Sequence, residues 1–185
     1  MILTPLTLNG AFRIDLDPHH DARGFFARQF CAATLASVGL NDHWVQGNTS
    51  VTERQGTVRG LHFQSAPRAE VKMVRCVRGA IFDAIVDMRP GSASFGNWTG
   101  LTLSAQNRTA IYVPQGFAHG FQTLEPDCEV MYLVSAPYSP LHEGGIHHAD
   151  PAIGIGWPLP VTGVSDRDQA LPALAASGAG SGAGS

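Results

Sequence analysis

From about residue 43 onward, apolar residues alternate with polar ones in short runs. This two-residue period is typical of strands that bury one face. Turn residues separate the runs, as in Arg89-Pro90-Gly91 and Pro114-Gln115-Gly116. The pattern predicts about eight strands, over His43–Val51, Thr57–Gln64, Glu70–Val77, Ala80–Met88, Trp98–Leu103, Thr109–Val113, His119–Leu124 and Glu129–Ser135.

A helix is expected in only one place. Cys31–Gly39 has the composition of a short helix that a glycine ends. Many short strands without interleaved helices indicate an all-β sandwich, jelly roll or barrel. After Pro137 the chain is rich in Pro, Gly and His and shows little periodicity, so we expect it to wrap around the β-core rather than to join it.

The last residues of the chain differ in composition from the rest. Residues 175–185 contain only Ala, Ser and Gly, a composition typical of flexible linkers. We therefore predict one domain over residues 1–174, which is long enough to close a single core. Residues 175–185 are expected to form a flexible tail, either native or an added linker, with no part in function.

Composition and charge narrow the class of function. The net charge is −3 and no basic run exceeds two residues, so nucleic acid and anionic membranes are poor candidate partners. The three cysteines, Cys31, Cys76 and Cys128, lack the spacing of a disulfide framework or a thiolate metal site. No apolar stretch resembles a signal peptide or a membrane span. These features predict a cytoplasmic protein.

The chain has a single lysine, Lys72, against 11 arginines. It lies within the apolar segment Val71-Lys72-Met73-Val74. One explanation is chance in an arginine-preferring genome, with Lys72 at a harmless strand edge. The other is a compact point charge that the planar guanidinium of arginine cannot replace. Composition alone leaves both open.

An arginine and a histidine lie close together in one predicted strand, Arg59-Gly60-Leu61-His62. His62 is either a hydrogen-bonded structural residue or a general base that titrates near neutral pH. Residues 59 and 62 face opposite sides of a regular strand. They can line one pocket only if the strand is irregular at Gly60, which a glycine permits.

The segment Pro114-Gln115-Gly116-Phe117-Ala118-His119 is similar to the second motif of cupins, a turn that leads into a strand. In metal-binding cupins the equivalent histidine joins a His-x-His pair and a carboxylate. This sequence has no His-x-His, and the adjacent pairs His19-His20 and His147-His148 lie outside the predicted core. We therefore expect no bound metal.

Three further features have both a structural and a chemical interpretation. Tyr132, which has valines two positions away on each side, is either a core tyrosine or a phenol that transfers a proton. Ser165-Asp166-Arg167-Asp168 is a turn or a helix cap, unless a carboxylate there orients a histidine. Asp83 and Asp87 share a strand face and are either edge residues or part of a site.

Taken in order, these segments resemble one family, the dTDP-4-dehydrorhamnose 3,5-epimerases and their relatives in deoxysugar biosynthesis. Each match alone is weak evidence, whereas the ordered set, from about residue 21 to residue 168, is strong evidence. The matching segments are Asp21–Phe26, Gln46–Ser50, Arg59–Gln64, Lys72–Val74, Asp87–Arg89, Phe95-Gly96, Pro114–Phe121, Tyr132, Asp150-Pro151, Ile155–Pro158 and Ser165–Asp168.

The resemblance implies a cupin jelly roll that forms a homodimer and binds a nucleotide sugar without a metal or other cofactor. The implied reaction inverts C3 and C5, or C3 alone, of a nucleoside-diphosphate 4-keto-6-deoxyhexose through an enolate. His62 would remove the proton beside the keto group, with Asp168 as its partner. Tyr132 would return a proton to the opposite face, and Lys72 would stabilise the enolate oxygen.

The same resemblance assigns binding positions, and the chain departs from the family pattern at others. Arg28 stands where an acid is expected, and His148-Ala149 replaces a common Trp-Asn pair. These differences leave open the nucleotide base, inversion at C5, and a rhamnose or another deoxysugar pathway. The implied binding residues are Arg23, Gln46, Asn48, Arg59, Lys72, His119, Tyr138, Glu143 and Arg167.

The chemistry explains why these residue types are needed together. A positioned acid or base accelerates a reaction by ~10²–10⁴-fold. A charge aimed at an oxyanion stabilises the transition state by roughly 3–4 kcal/mol. Neither suffices alone, so base, acid and cation should all be present, as His62, Tyr132 and Lys72 are. Two alternatives remain: a metal-dependent cupin isomerase or oxygenase, and a non-catalytic cupin that binds a sugar nucleotide.

Overall fold

A computed structural model of the protein describes residues 1–174, so the predicted tail at 175–185 lies outside the described residues. Within that range the regular secondary structure is nearly all β-strand, with two short helices, which confirms the predicted class. In chain order the elements are β1 (Ile2–Pro5), β2 (Phe12–Asp15), β3 (His19–Asp21), β4 (Gly24–Phe26), α1 (Ala32–Ala36), β5 (Gln46–Thr52), β6 (Val58–Gln64), β7 (Lys72–Arg78), β8 (Ala80–Asp87), β9 (Trp98–Ser104), β10 (Ala110–Val113), β11 (Phe117–Thr123), β12 (Cys128–Val134), β13 (Glu143–Gly145) and α2 (Asp166–Gln169).

Two antiparallel sheets face each other and form a jelly roll of the cupin type. The first has the strand order β1-β2-β10-β7-β12-β5, and the second β13-β6-β11-β8-β9. Strands β3 and β4 pair only with each other among the described residues. The core lies between the sheets, where alternate side chains of facing strands meet. It contains Val74, Cys76, Ile81, Ile85, Leu103, Ile111, Val113, Phe117, Phe121 and Val130.

The apolar alternation located all eight predicted strands, with ends within three residues of those expected. The predicted helix is also present, as α1. Lys72 on β7 and Asp83 and Asp87 on β8 belong to interior strands of their sheets. The interpretation of these three residues as edge positions is therefore wrong.

The structure adds elements that the alternation did not indicate: β1 to β4, β13 and α2. The expectation that the chain after Pro137 would not join the β-core is wrong at Glu143–Gly145, which pairs with β6 as an edge strand. This strand has no apolar residue and pairs with β6 through its backbone, so no hydrophobic period could indicate it.

The rest of the C-terminal segment wraps around the second sheet as predicted. Ile146 and Ile153 pack against Leu61 and Val86 on the sheet's outer face, with Trp157 beside them. The outer face of the first sheet is covered by residues that precede β5. Its cluster joins Ile14, Met73, Ala110 and Tyr112 to Phe30, Leu40 and Trp44.

Strand β6 is irregular at Gly60, which is the condition under which Arg59 and His62 can line one pocket. The pairing register between β6 and β11 shifts between His119 and Phe121. Gly60 has a φ of 115°, and a Cβ there would lie 2.7 Å from the Cα of Gly120. Only glycine fits so close an approach with that backbone. The irregularity turns the side chains of Arg59 and His62 toward one cavity.

Candidate active site

A cavity between the sheets has two compartments that share part of their lining. The first has a volume of about 410 Å³ and the second of about 260 Å³. His62, Lys72 and Tyr132 line both compartments and so mark their border. His62 comes from the second sheet, whereas Lys72 and Tyr132 come from the first. The three side chains therefore face one another across the interior.

The imidazole of His62 is bound to a buried carboxylate. Its Nε2 lies 2.7 Å from Oδ1 of Asp168, and the N–H of Gly60 donates to Oδ2 at 3.0 Å. The side chain of Ser165 caps the short helix α2, which holds Asp168 in place. Burial opposes ionisation of Asp168, but the hydrogen bonds from His62 and Gly60 outweigh it and lower the pKa of the carboxyl.

This contact determines the tautomer of His62. A carboxylate can only accept hydrogen bonds, so the Nε2 that faces Asp168 carries a hydrogen. Nδ1 of the neutral ring is then the free acceptor. The His62 side chain is 31% exposed, so a ligand in the cavity can reach it. The arrangement has the geometry of a general base with an orienting acid.

Lys72 is a buried ammonium at the border of the compartments. Its Nζ lies 3.1 Å from Oε1 of Glu70 and donates to the backbone oxygen of His62 at 3.3 Å. The two side chains of the ion pair are only 9% and 11% exposed. A charge so deeply buried is tolerated because it is paired and hydrogen-bonded.

Tyr132 faces the interior, as its valine neighbours predicted. Val130 and Val134 are buried beside it, whereas Met131, on the other face of β12, is 49% exposed. Burial, followed by the negative charge of Glu70, raises the pKa of the Tyr132 phenol. The phenol therefore keeps its proton at neutral pH, as a group that donates a proton must.

A second histidine and carboxylate pair lies deeper in the first compartment. Nε2 of His119 is 2.9 Å from Oδ2 of Asp83, and both side chains are buried. In β11 the Cα of His119 pairs with that of His62. Asp87, by contrast, accepts hydrogen bonds from a surface loop, at 2.6 Å from both Ser92 and Ser94. Of the two aspartates noted on this strand face, only Asp83 contacts a residue of the cavity wall.

Two arginines add positive charge to the first compartment. Arg59 is held by Thr52, whose Oγ1 accepts from Nε at 2.8 Å. Arg167 forms an ion pair with Glu143, which also accepts from the hydroxyl of Tyr138 at 2.7 Å. Burial opposes ionisation of Glu143, but these hydrogen bonds outweigh it and lower its pKa. The Tyr138–Glu143–Arg167 contacts link the walls of the two compartments.

The second compartment contains the predicted amide side chains. Nε2 of Gln46 donates to Oδ1 of Asn48 at 2.8 Å, and both line this space. Tyr138 and Glu143 also line it. The structure thus brings every predicted catalytic and binding residue except one to the two compartments.

The exception is Arg23, in the turn between β3 and β4. Its side chain is 91% exposed and pairs with Asp21, with Nη2 at 2.6 Å from Oδ2. It lines neither compartment of the cavity. Within the described residues, the predicted binding role of Arg23 therefore has no contact with the rest of the site.

The cavity residues do not form an evident metal centre. Within residues 1–174, no group of three or more His, Cys, Asp or Glu side chains is arranged to hold a metal ion. His62 and His119 each contact a separate carboxylate. The rings of His147 and His148 lie with centroids 4.5 Å apart, and neither histidine lines the two compartments. No helix in the same range is long and apolar enough to cross a membrane.

Comparison with known proteins assigns the chain to a family. The family model described as dTDP-4-dehydrorhamnose 3,5-epimerase matches residues 5–176. The chain belongs to this family. A curated dTDP-4-dehydrorhamnose 3,5-epimerase of Sinorhizobium fredii is 48% identical over 159 residues, which cover 83% of this chain and 80% of the relative.

Solved structures of the dTDP-4-dehydrorhamnose 3,5-epimerase family share the fold. The enzyme of Elizabethkingia anophelis has a TM-score of 0.92 at 35% identity, and the match covers 95% of this chain and 97% of the other. A dTDP-6-deoxy-D-glucose-3,5-epimerase of Legionella pneumophila, in complex with dTDP-4-keto-L-rhamnose, has a TM-score of 0.87 at 35% identity. That match covers 94% of this chain and 93% of the other.

Sequence reasoning missed one residue of this epimerase-family cavity and undervalued another. Glu70, which pairs with Lys72, was not singled out, although an acid two residues before a lone lysine in an apolar run was an available signal. Asp83 was noted only as one member of an acidic pair. Its alternation with Ile81 and Ile85 placed it on an inward face, but only the structure shows His119 opposite.

Proposed function

We propose that the chain is an epimerase that inverts C3 and C5, or C3 alone, of a dTDP-linked 4-keto-6-deoxyhexose. The expected substrate is dTDP-4-dehydro-6-deoxy-D-glucose and the expected product is dTDP-4-dehydro-L-rhamnose. The observation that supports this most directly is that His62 and Tyr132 border one cavity from opposite sheets, and that Lys72 lines the same border. Family membership and the nucleotide sugar bound by the Legionella relative support the same substrate class.

The proposed reaction begins with proton removal by His62. Nδ1 takes the proton from the carbon beside the C4 carbonyl, and the C–H electron pair forms the enolate. Asp168 stabilises the resulting imidazolium. The ammonium of Lys72 stabilises the developing negative charge on the C4 oxygen, because a charge held in place needs little reorganisation.

Inversion is completed from the other side of the cavity. The enolate carbon takes the phenol proton of Tyr132, and the carbonyl re-forms. Tyr132 then regains a proton from solvent, and His62 loses one, so the protein returns to its starting state. Because the two groups lie on opposite sheets, the proton is delivered to the face opposite the one that lost it.

The remaining cavity residues suit a nucleoside diphosphate. Arg59, Arg167 and His119 would hold the diphosphate, since guanidinium groups bind such oxygens through paired donors. Gln46, Asn48, Tyr138 and Glu143 would contact the sugar or the base from the second compartment. Arg28, which departs from the family pattern, lies outside both compartments.

We also propose that the enzyme is a homodimer of single-domain protomers, each formed by residues 1–174. The β3–β4 hairpin exposes Phe25 and Phe26, at 40% and 72%, and a second copy could cover them. Dimerisation would also give Arg23, which lies on this hairpin, a cavity to face. Three free cysteines support a reducing, cytoplasmic location.

The test is proton NMR of dTDP-4-keto-6-deoxyglucose with the enzyme in deuterated buffer. Loss of the C3 and C5 proton signals would establish a 3,5-epimerase, and loss of the C3 signal alone would establish a 3-epimerase. If neither signal falls, the experiment is repeated with GDP- and CDP-linked sugars. A lack of exchange with all of them would exclude the epimerase and leave a sugar-nucleotide-binding protein.

A further inference from the structure

Glu70 is a buried carboxylate with no role in the proton transfers described above. Its side chain is 11% exposed, and it lines the second compartment beside His62 and Tyr132. Oε1 lies 3.1 Å from Nζ of Lys72. Oε2 accepts a hydrogen bond from Nε2 of Gln64 at 3.1 Å. Both carboxylate oxygens therefore have partners, so the side chain has a defined orientation.

Gln64 holds Glu70 from behind and is itself fixed. Its side chain amide oxygen accepts from the N–H of Ser139 at 2.6 Å, and its Nε2 also contacts the backbone oxygens of Arg68 and Pro137. Turning the amide over would break these bonds, so a donor always faces Glu70. The chain thus has a rigid support for one carboxylate at the wall of the cavity.

We propose that Glu70 is a positioning residue that fixes the Lys72 ammonium at the border of the two compartments. The inference rests on the proposed function, in which the C4 oxygen of the keto sugar lies there. A lysine has a flexible stem and a charge without directional preference, so it needs a partner to hold one position. Lys72 has only two such contacts in the described residues: Glu70 and the backbone oxygen of His62.

Glu70 also contributes to the electrostatic environment of Tyr132. The charged groups that face the phenol are Glu70, Glu143 and Arg59, and His62 and Lys72 border the same space. Burial and the charge of Glu70 raise the pKa of Tyr132, whereas Arg59 opposes the shift. Removing the negative charge should therefore let the phenol lose its proton at a lower pH.

The chain offers a direct measurement of the contact, because Lys72 is its only lysine. Protein labelled with ¹⁵N-lysine gives one side-chain ammonium signal in NMR. Glu70→Gln should shift this signal or broaden it beyond detection, since the ammonium loses its ionic partner. Glu53→Gln, which removes an exposed carboxylate outside both compartments, is the matched control and should leave the signal unchanged.

Kinetics test the consequence for the reaction. Glu70→Gln should lower kcat by roughly 10- to 100-fold, because misplacing a catalytic group by about 1 Å has an effect of this size. The alkaline limb of the kcat–pH profile should also move to lower pH. Glu70→Asp keeps the charge but shortens the reach, so kcat should fall while the alkaline limb stays near its native position. A purely structural defect would lower kcat at all pH values and would not move the alkaline limb of the profile.

The outcomes separate this inference from the proposed function. Glu70→Gln protein with a native ammonium signal, native kcat and native alkaline limb would overturn the positioning role. Native protein that exchanges no proton in any 4-keto sugar nucleotide would instead overturn the proposed function. In that case the ammonium signal still decides the contact: a signal that does not respond to Glu70→Gln shows that Glu70 does not hold Lys72.

Discussion

The reactive histidine of the cavity is controlled by a fixed partner. The carboxylate of Asp168 determines which nitrogen of His62 carries the hydrogen, and the N–H of Gly60 in turn fixes the carboxylate. Without this partner the ring could adopt the other tautomer, with the hydrogen on the nitrogen that must accept a proton. The role of Asp168 therefore concerns orientation and charge rather than proton removal.

Asp168→Asn tests this role. The amide can donate to Nε2, which would then become the acceptor and leave the hydrogen on Nδ1. We expect kcat to fall by about 10²–10⁴-fold, the contribution of one general base, with little change in folding. Asp166→Asn is the matched control, because Asp166 is exposed on the same short helix. A steady-state assay of both variants tests this expectation. Equal activity of the two variants would contradict a catalytic pairing of His62 with Asp168.

Tyr132→Phe should separate proton removal from inversion. His62 can still take the proton and return it to the same face, so the C–H proton should still exchange with deuterated solvent. Inversion should fall by about 10²–10⁴-fold, since its acid is gone. NMR follows exchange and product formation in one sample.

Tyr112→Phe is the control for the loss of a buried hydroxyl. Tyr112 accepts from the N–H of Asn41 at 2.9 Å, outside the cavity. Its removal should reduce stability by about 0.5–1.5 kcal/mol and leave epimerisation intact. Parallel loss of exchange and inversion in Tyr132→Phe would assign that phenol a structural role instead.

The sequence indicated the residue types of the site better than their partners. Lys72 stood out because it is the only lysine of the chain and lies in an apolar run. Its partner Glu70 did not stand out, because one acid two positions from a lysine occurs in many exposed strands. The contact of His62 with Asp168 joins residues 106 positions apart. No local pattern encodes such a distance, and only family resemblance indicated it.

At the scale of elements, strand β6 depends on a glycine, Gly60, that no residue with a side chain can replace. Gly60 has positive φ and lies against Gly120 and the backbone oxygen of His119. A Cβ added to Gly60 would lie 2.7 Å from the Cα of Gly120 and 2.7 Å from that oxygen. Its N–H also binds Asp168. One backbone position therefore sets the distance between two strands and the geometry of the His62 pair.

Gly60→Ala should damage both stability and activity. The contact with backbone atoms cannot relax, so we expect a loss of about 1–3 kcal/mol in the free energy of unfolding. Activity should fall further, because His62 moves with the strand. Gly91→Ala is the matched control: it also has positive φ, at 76°, but an added Cβ there meets nothing within 4 Å. Urea unfolding and kcat measured on both variants test the difference, and equal effects would contradict a packing cause.

The elements that could be predicted are those with an apolar face. The eight predicted strands were visible because short runs of strand-forming residues stand between turn residues, and in most of these runs apolar residues alternate with polar ones. Strand β13, Glu143–Gly145, has no apolar residue, so only its backbone pairing defines it. Helix α2 has four residues and depends on the Ser165 cap. Such a segment was equally well described as a turn until its position against β6 was known.

At the scale of the whole molecule, the C-terminal segment joins the site to global stability. This segment covers the outer face of the second sheet and also carries Asp168. His148 is buried within it, stacks on His147, and has no hydrogen-bond partner for Nδ1 in the described part of the chain. Burial, and secondarily the neighbouring His147, lower the pKa of His148 below its ordinary value.

The sign of this shift predicts how stability depends on pH. The unfolded chain binds a proton at His148 more readily than the folded chain does. The contribution of neutral His148 to stability is therefore complete above the ordinary histidine pKa of 6.5, and it is lost as the pH falls below that value. His148→Gln removes the titrating group. When the pH is lowered from about 8 to about 5.5, the Tm of the variant should fall less than that of the native protein. The difference should be about 2–4 °C for each 1 kcal/mol of destabilisation that the variant avoids. His43→Gln, at an exposed histidine, should follow the native curve. The same dependence of Tm on pH in all three proteins would show that protonation of His148 does not destabilise the fold.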